Sequence, residues 1–311
     1  MTIDTELTGL HPILAAAAAK RRAEPKYSQL GIEAARALSL ARQGQPTRLP
    51  ELASVTDITV PGAAGPLAAR LYRPSLESHL PLLVYFHGGG FVAGSLDSHD
   101  SILRRLALAA GIAILSVDYR LAPEHPFPAP VDDAATALRH ALANPGEFAS
   151  SGPVFAGGDS AGAALALAAA GMVENLTGLI LFYPVTDLAH IGDTDSYRAF
   201  GDGRAGLSED DMRWFAECYA PDPATRTDPR CSPLLDGTSN LPPAFIATAE
   251  YDVLRSEGEA LAAHLQVRGI PVTHRAAPGV NHGYLGAGEA VPEATATLAA
   301  AANWLKARIA S

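Results

Sequence analysis

Cysteine is nearly absent: 311 residues hold two, Cys218 and Cys231. They show no CxxC or metal-ligand spacing, and two thiols do not make a disulfide framework. A reduced, cytoplasmic setting is therefore expected. Long apolar runs are missing too; none approaches the roughly 18 residues of a membrane span. The apolar patch from Leu10 to Ala19 is followed by Lys20, Arg21 and Arg22. A signal peptide carries its positive charges before the apolar run, so neither export nor anchoring in a membrane is expected. Basic charge is in deficit, with 23 Lys and Arg against 33 Asp and Glu and a net charge of −10. Such a surface repels phosphate backbones and gives no footprint for nucleic acid.

What is present reads as a globular α/β protein. Apolar residues make up 48% of the chain and charged ones 18%. Residues 1–50 have helical spacing at 13–19 and 32–41, interrupted by Pro25. From residue 54 strands and helices alternate. The apolar pattern predicts strands at 55–60, 67–72, 82–87, 113–118, 154–157, 178–183, 244–249 and 272–276. It predicts helices at 101–110, 131–143, 161–173, 256–268 and 292–309. Several strands are continuous apolar runs, Leu82 to Phe86 among them, as suits a parallel sheet buried on both faces. An insertion from about 188 to 241 breaks the rhythm. It holds one clear helix, with Ser208 as cap and Asp211 three residues on. Long loops of this kind are often lids, and Trp214 and Phe215 favour that reading.

The chemistry centres on Gly158-Asp159-Ser160-Ala161-Gly162, a G-x-S-x-G between the apolar run 153–156 and the alanine-rich run 163–170. Strand, sharp turn and helix would expose the Ser160 hydroxyl beside a helix N-terminus, where a nucleophile needs to be. A base and an orienting acid must then follow in the order Ser, Asp or Glu, His. Of the later histidines, His190 opens the insertion, His264 lies on a helix and His274 in a strand. His282 sits in a loop after the last strand, at the edge where open α/β sheets hold their sites, and is favoured. For the acid, Asp252 shares that edge and is preferred. Asp187 is the runner-up, and Glu250 is weaker because it should point back towards the sheet. Upstream, Gly88, Gly89 and Gly90 follow a strand in His87-Gly88-Gly89-Gly90-Phe91. Their N–H groups, with that of Ala161, could hold an oxyanion. His87 is read as a brace for this loop.

These segments resemble the hormone-sensitive-lipase-like esterases of the α/β-hydrolase fold. The resemblance rests on 87–91, 158–162, the Asp118 to Pro128 stretch, Tyr251-Asp252-Val253-Leu254-Arg255 and His282-Gly283-Tyr284. It covers roughly residues 50–311. It implies a mostly parallel eight-stranded sheet under a helical cap, with Ser160 as nucleophile, Asp252 and His282 as acid and base, and Gly88, Gly89 and Ala161 as oxyanion donors. The implied division is an N-terminal cap part at 1–50, core at 51–187, cap insertion at 188–241 and core at 242–311. Trp214, Phe215 and Tyr183 are candidate pocket walls. The expected function is a serine carboxylesterase acting on small short- to medium-chain esters, with no cofactor and no metal. An amidase or lactonase could use the same triad. A non-catalytic receptor on the scaffold is disfavoured by His282. The last strand, 272–276, could pair a homodimer.

Overall fold

Eight strands form one sheet with helices on both sides. The computed structural model describes residues 7–43, 49–148, 150–236 and 241–310. Residues 1–6, 44–48 and 237–240 of the expected cap segments lie outside the described residues. In chain order the elements are α1 (Pro12–Ala23), α2 (Ile32–Gln43), β1 (Ser54–Gly62), β2 (Gly65–Arg73), β3 (Leu80–Phe86), α3 (Leu96–Ala110), β4 (Ala113–Val117), α4 (Ala129–Ala143), β5 (Ser150–Asp159), α5 (Ala161–Ala170), β6 (Gly178–Phe182), α6 (Asp195–Phe200), α7 (Glu209–Tyr219), β7 (Ala244–Tyr251), α8 (Arg255–Val267), β8 (Val272–Asn281) and α9 (Pro292–Ile309). The strand order is β1-β2-β4-β3-β5-β6-β7-β8. Pairings from β4 through β8 are parallel, and β2 runs antiparallel to both β1 and β4. Among the described residues no helix is long and apolar enough to cross a membrane.

The apolar pattern explains the layering. Strands β4 and β6 are buried at every position, and β3 at all but one, because helices cover both faces. The edge strand β8 has only exposed and half-buried positions along its first half. Helix α5 is buried along its whole length. Its alanines let it lie close against the sheet, where larger side chains would hold it away.

Every expected strand has a counterpart, but some boundaries move. Helix α3 starts at Leu96, five residues before the expected 101, because Ser95 and Ser98 form a reciprocal cap. Strand β8 continues through Pro278 and Gly279 to Asn281, where a register shift against β7 absorbs the irregularity. Among its described residues the insertion contains two α-helices rather than one. The short α6 is capped by the hydroxyl of Thr194. Ser208 and Asp211 cap α7 reciprocally, as their spacing predicts.

The N-terminal helices and the insertion meet in one layer over the ends of the parallel strands. Arg21 on α1 donates to Asp211 at 2.9 Å, and Ser28 donates to Asp210 at 2.8 Å. Tyr27 between them stacks on Trp214 at 5.6 Å and packs on Phe215 at 5.4 Å. Arg36 on α2 reaches down to the core, donating to the carbonyls of Val92 and Ala122 and to Glu124.

The insertion is anchored at its root by a buried acid. Glu257 on α8 accepts the N–H groups of Thr186 at 2.6 Å and Asp187 at 3.0 Å, and the Thr186 hydroxyl at 3.1 Å. Burial nonetheless pushes its carboxyl up to about 8 from an ordinary 4.5. A group whose pKa rises on folding stabilises fully below its unfolded value, and that stability is lost as pH rises through the folded value. Glu257→Gln should therefore raise Tm over wild type at pH 9 and change it little at pH 4. Thermal denaturation across that range checks this; a Tm difference independent of pH would refute it.

Candidate active site

The turn between β5 and α5 is sharp, and its geometry follows from its residues. Ser160 has φ 53° and ψ −120°, a backbone state that costs a non-glycine residue about 1–3 kcal/mol. The surroundings over-determine it. The Ser160 N–H donates to the Phe182 carbonyl at 2.9 Å, and its own carbonyl accepts from Val185 at 3.2 Å. The flanking glycines allow the close approach. A Cβ on Gly162 would be driven into the backbone carbonyl of Phe86, and one on Gly158 into the backbone of Gly162.

Ser160, His282 and Asp252 come together at this turn. His282 Nε2 lies 2.9 Å from Ser160 Oγ, and Nδ1 lies 2.8 Å from Asp252 Oδ2. Asp252 is 2% exposed, and its Oδ1 accepts the Leu254 N–H at 3.0 Å. An ionised carboxylate only accepts, so Nδ1 donates to it and Nε2 keeps its lone pair for the serine. The Tyr183 ring packs edge-on against the imidazole at 4.9 Å.

The other candidates bond elsewhere. Asp187 accepts the backbone N–H of Ala189 and pairs with His190 at 2.8 Å, closing a turn at the start of the insertion. That bond to Asp187 raises the His190 pKa. His274 meets Thr248 Oγ1 at 3.0 Å, and His264 lies on α8. Glu250 is exposed and accepts the Gly279 N–H at 2.8 Å rather than turning into the sheet. His87 braces its loop, with Nδ1 at 2.9 Å from the Gly88 carbonyl.

The expectation for Gly88 needs correction. Its N–H is already spent, donating at 3.0 Å to Oδ1 of Asp159. Gly89 and Gly90, in contrast, have no acceptor for their N–H groups among the described residues. Ala161 opens α5, so its N–H has no intrahelical acceptor either. The available donors thus sit one residue further along the glycine run than expected. Sequence reasoning also passed over Asp159, although it is the variable position of the motif itself. Its carboxylate accepts the Tyr85 hydroxyl at 2.9 Å and faces His99 Nε2 at 3.1 Å. Burial alone would raise this carboxyl. The charge and hydrogen bond of His99, then the Tyr85 hydroxyl, hold it below the usual carboxylate range.

Ser160 and His282 open into a cavity of about 990 Å³. Its walls include Tyr183, Val185, Leu188, Leu207, Met212 and Phe215, with Leu14 and Ala18 from α1. Phe215 lies so close over Gly90 that a Cβ there would enter its ring. Trp214 is not among the cavity's lining residues; its ring stacks on Tyr27 instead and joins the insertion to the N-terminal segment.

Comparison with known proteins places this chain among α/β hydrolases. Residues 83–286 match the family described as the alpha/beta hydrolase fold. The chain is 42% identical over 244 residues to the carboxylic ester hydrolase LipN of Mycobacterium tuberculosis, covering 74% of this chain and 64% of LipN. It is 38% identical over 239 residues to the ethyl acetate hydrolase of Pseudomonas putida, covering 73% of this chain and 74% of that one. The solved esterase of Pyrobaculum calidifontis superposes with a TM-score of 0.86 at 36% identity, over 96% of this chain and 98% of the other.

The turn geometry is testable without any assay of chemistry. Gly162→Ala places its methyl against the Phe86 carbonyl, and overpacking of this kind costs typically about 1–3 kcal/mol. The variant should melt several degrees below wild type. An unchanged Tm would mean that α5 does not approach β3 this closely.

Proposed function

The chain belongs to the α/β-hydrolase fold family, among the hormone-sensitive-lipase-like esterases, and we propose that it is a carboxylesterase that works through an acyl-serine. The observation that carries this reading is the continuous relay from Asp252 through His282 to Ser160 beside unspent N–H groups. Nε2 of His282 takes the hydroxyl proton as Ser160 Oγ attacks the ester carbonyl. The carbonyl oxygen becomes an oxyanion, held by the N–H groups of Gly89, Gly90 and Ala161. Asp252 stabilises the imidazolium formed at that moment. The imidazolium returns the proton to the leaving alkoxide, and an alcohol departs. Water then gives its proton to His282 and attacks the acyl-serine, and Ser160 recovers its proton as the acid leaves.

The acyl preference follows from the walls nearest the serine. Phe215 lies over the glycine loop and Tyr183 over the histidine, which supports short to medium acyl groups. The name of the Pseudomonas putida relative denotes an acetate ester. Scarce cysteine supports a cytoplasmic setting, and the half-exposed edge of β8 supports pairing of two copies.

Ser160→Ala should abolish hydrolysis of p-nitrophenyl butyrate and labelling by a fluorophosphonate. Asp252→Asn should lower kcat by roughly 10⁴-fold while the protein stays folded, because the imidazole loses its tautomer. Equal activity in wild type and Ser160→Ala, or none in either on any ester chain length, would sink the proposal.

The cap gives a second test. Phe215→Ala should move the optimum of p-nitrophenyl ester hydrolysis to longer acyl chains. Trp214→Ala should lower Tm through the lost Tyr27 stack and leave that optimum in place. If Trp214→Ala shifts the optimum and Phe215→Ala does not, the assignment of the pocket wall is wrong.

A further inference from the structure

We infer that His99 and Asp159 form a buried ion pair that positions the oxyanion loop and neutralises the carboxylate beneath it. Neither residue belongs to the relay, and the inference rests on the carboxylesterase reading above. Asp159 is 6% exposed and His99 4%. Asp159 Oδ1 takes the Gly88 N–H at 3.0 Å, and this fixes the orientation of the first peptide in the glycine run. With that N–H turned to Asp159, the next two are left facing no acceptor among the described residues. Asp159 is also the residue before Ser160. One side chain thereby sets the loop after β3 in register with the turn after β5, which supplies Ala161.

A carboxylate in this position brings a charge problem. An anion buried close to a developing oxyanion opposes it, and with Asp159 only 6% exposed solvent screens the effect poorly. The surroundings of His99 provide the answer. Ser98 Oγ spends its proton on the Ser95 carbonyl at 2.7 Å, so it presents a lone pair to His99 Nδ1, 2.8 Å away. On the other side of the ring, Nε2 lies 3.1 Å from Asp159 Oδ1 and hydrogen-bonds Oδ2 at 3.3 Å. The Gly88 N–H also lies 3.3 Å from Nε2, but the nearer carboxylate oxygen is its better acceptor. Both ring nitrogens therefore meet acceptors. An imidazole that donates from both nitrogens is a cation, and it cancels the charge of Asp159. The Tyr85 hydroxyl completes the set of donors to that carboxylate. His99 is a positioning residue: it acts through Asp159 on the loop and on the local field.

The test separates charge from packing. Steady-state kinetics with p-nitrophenyl butyrate are measured together with inhibition by an aryl trifluoromethyl ketone, which forms a tetrahedral adduct in the oxyanion hole. His99→Gln should lower kcat about ten- to a hundred-fold at nearly constant KM, and should weaken the ketone by the same factor. The double variant Asp159→Asn with His99→Gln removes both charges and keeps an oxygen for the Gly88 N–H. It should recover much of the loss of His99→Gln. Wild-type kcat in His99→Gln, or a double variant no better than His99→Gln, overturns the ion pair. If His99→Gln does not fold, Tyr85→Phe serves in its place, since it removes one donor to Asp159. It should lower kcat and ketone affinity together, and unchanged values overturn the inference. Wild type and Ser160→Ala run alongside. Activity in wild type that Ser160→Ala lacks, with His99→Gln unaffected, rejects the ion pair and leaves the esterase intact; an inactive wild type rejects both.

Discussion

The site depends on how closely helix α5 approaches the end of strand β3. At Gly162 the helix backbone packs directly against the Phe86 carbonyl with no room for a methyl group. That contact brings the N-terminus of α5 beside the loop that leaves β3. Two separate segments can then offer N–H groups to one oxygen atom. The strained φ of Ser160 follows from the same constraint, because the chain must reverse from strand to helix without moving the helix away. The all-buried, alanine-rich face of α5 provides the fit over the rest of its length. The strain at one residue is thus offset by close packing along ten residues, not by any single bond.

The cap follows a different logic. The N-terminal helices and the insertion join through polar contacts 190 and 182 residues apart in sequence, around an aromatic cluster. Asp211 first caps its own helix, through Ser208, and then accepts from Arg21. A residue placed to start a helix therefore also fixes where the N-terminal segment docks. Tyr27 fills the space between, stacked on Trp214 and covered by the Arg42 guanidinium at 4.7 Å. Beneath, Arg36 grips the loops after β3 and β4. Movement of the N-terminal helices would be felt at the glycine loop through this arginine, and at the pocket wall through Phe215.

Much of this was legible in the sequence, and the exceptions have physical causes. Strands buried on both faces are continuous apolar runs, so the central strands could be located, though not all of their ends. Ser160, Asp252 and His282 were preferred because each stands where a parallel strand ends, with Asp187 left as the alternative acid, and the fold brings the three together. The glycine run was legible as an anion loop but not in its register. Which of three consecutive N–H groups turns inward depends on the acceptor below, and Asp159 comes from another strand. Trp214 and Phe215 are adjacent and equally bulky, so periodicity alone could not tell which one faces the cavity. Helix α6 is too short for a periodic signal, and its Thr194 cap is visible only in the folded chain.

Ser160 lies between two acids, Asp252 and Asp159, each facing a histidine, and the difference between the pairs is instructive. His282 meets a carboxylate on one side and a hydroxyl that can give up its proton on the other. Its charge can therefore change during a reaction. His99 meets a carboxylate on one side and, on the other, a hydroxyl whose proton is already committed to a backbone carbonyl. Its second nitrogen has nothing to accept. The same two residue types thus suit the proton relay we propose in one place and the ion pair we infer in the other. The deciding factor is the bond made by a neighbouring serine: Ser160 is held in a turn that leaves its hydroxyl unspent, whereas Ser98 is used up in capping a helix.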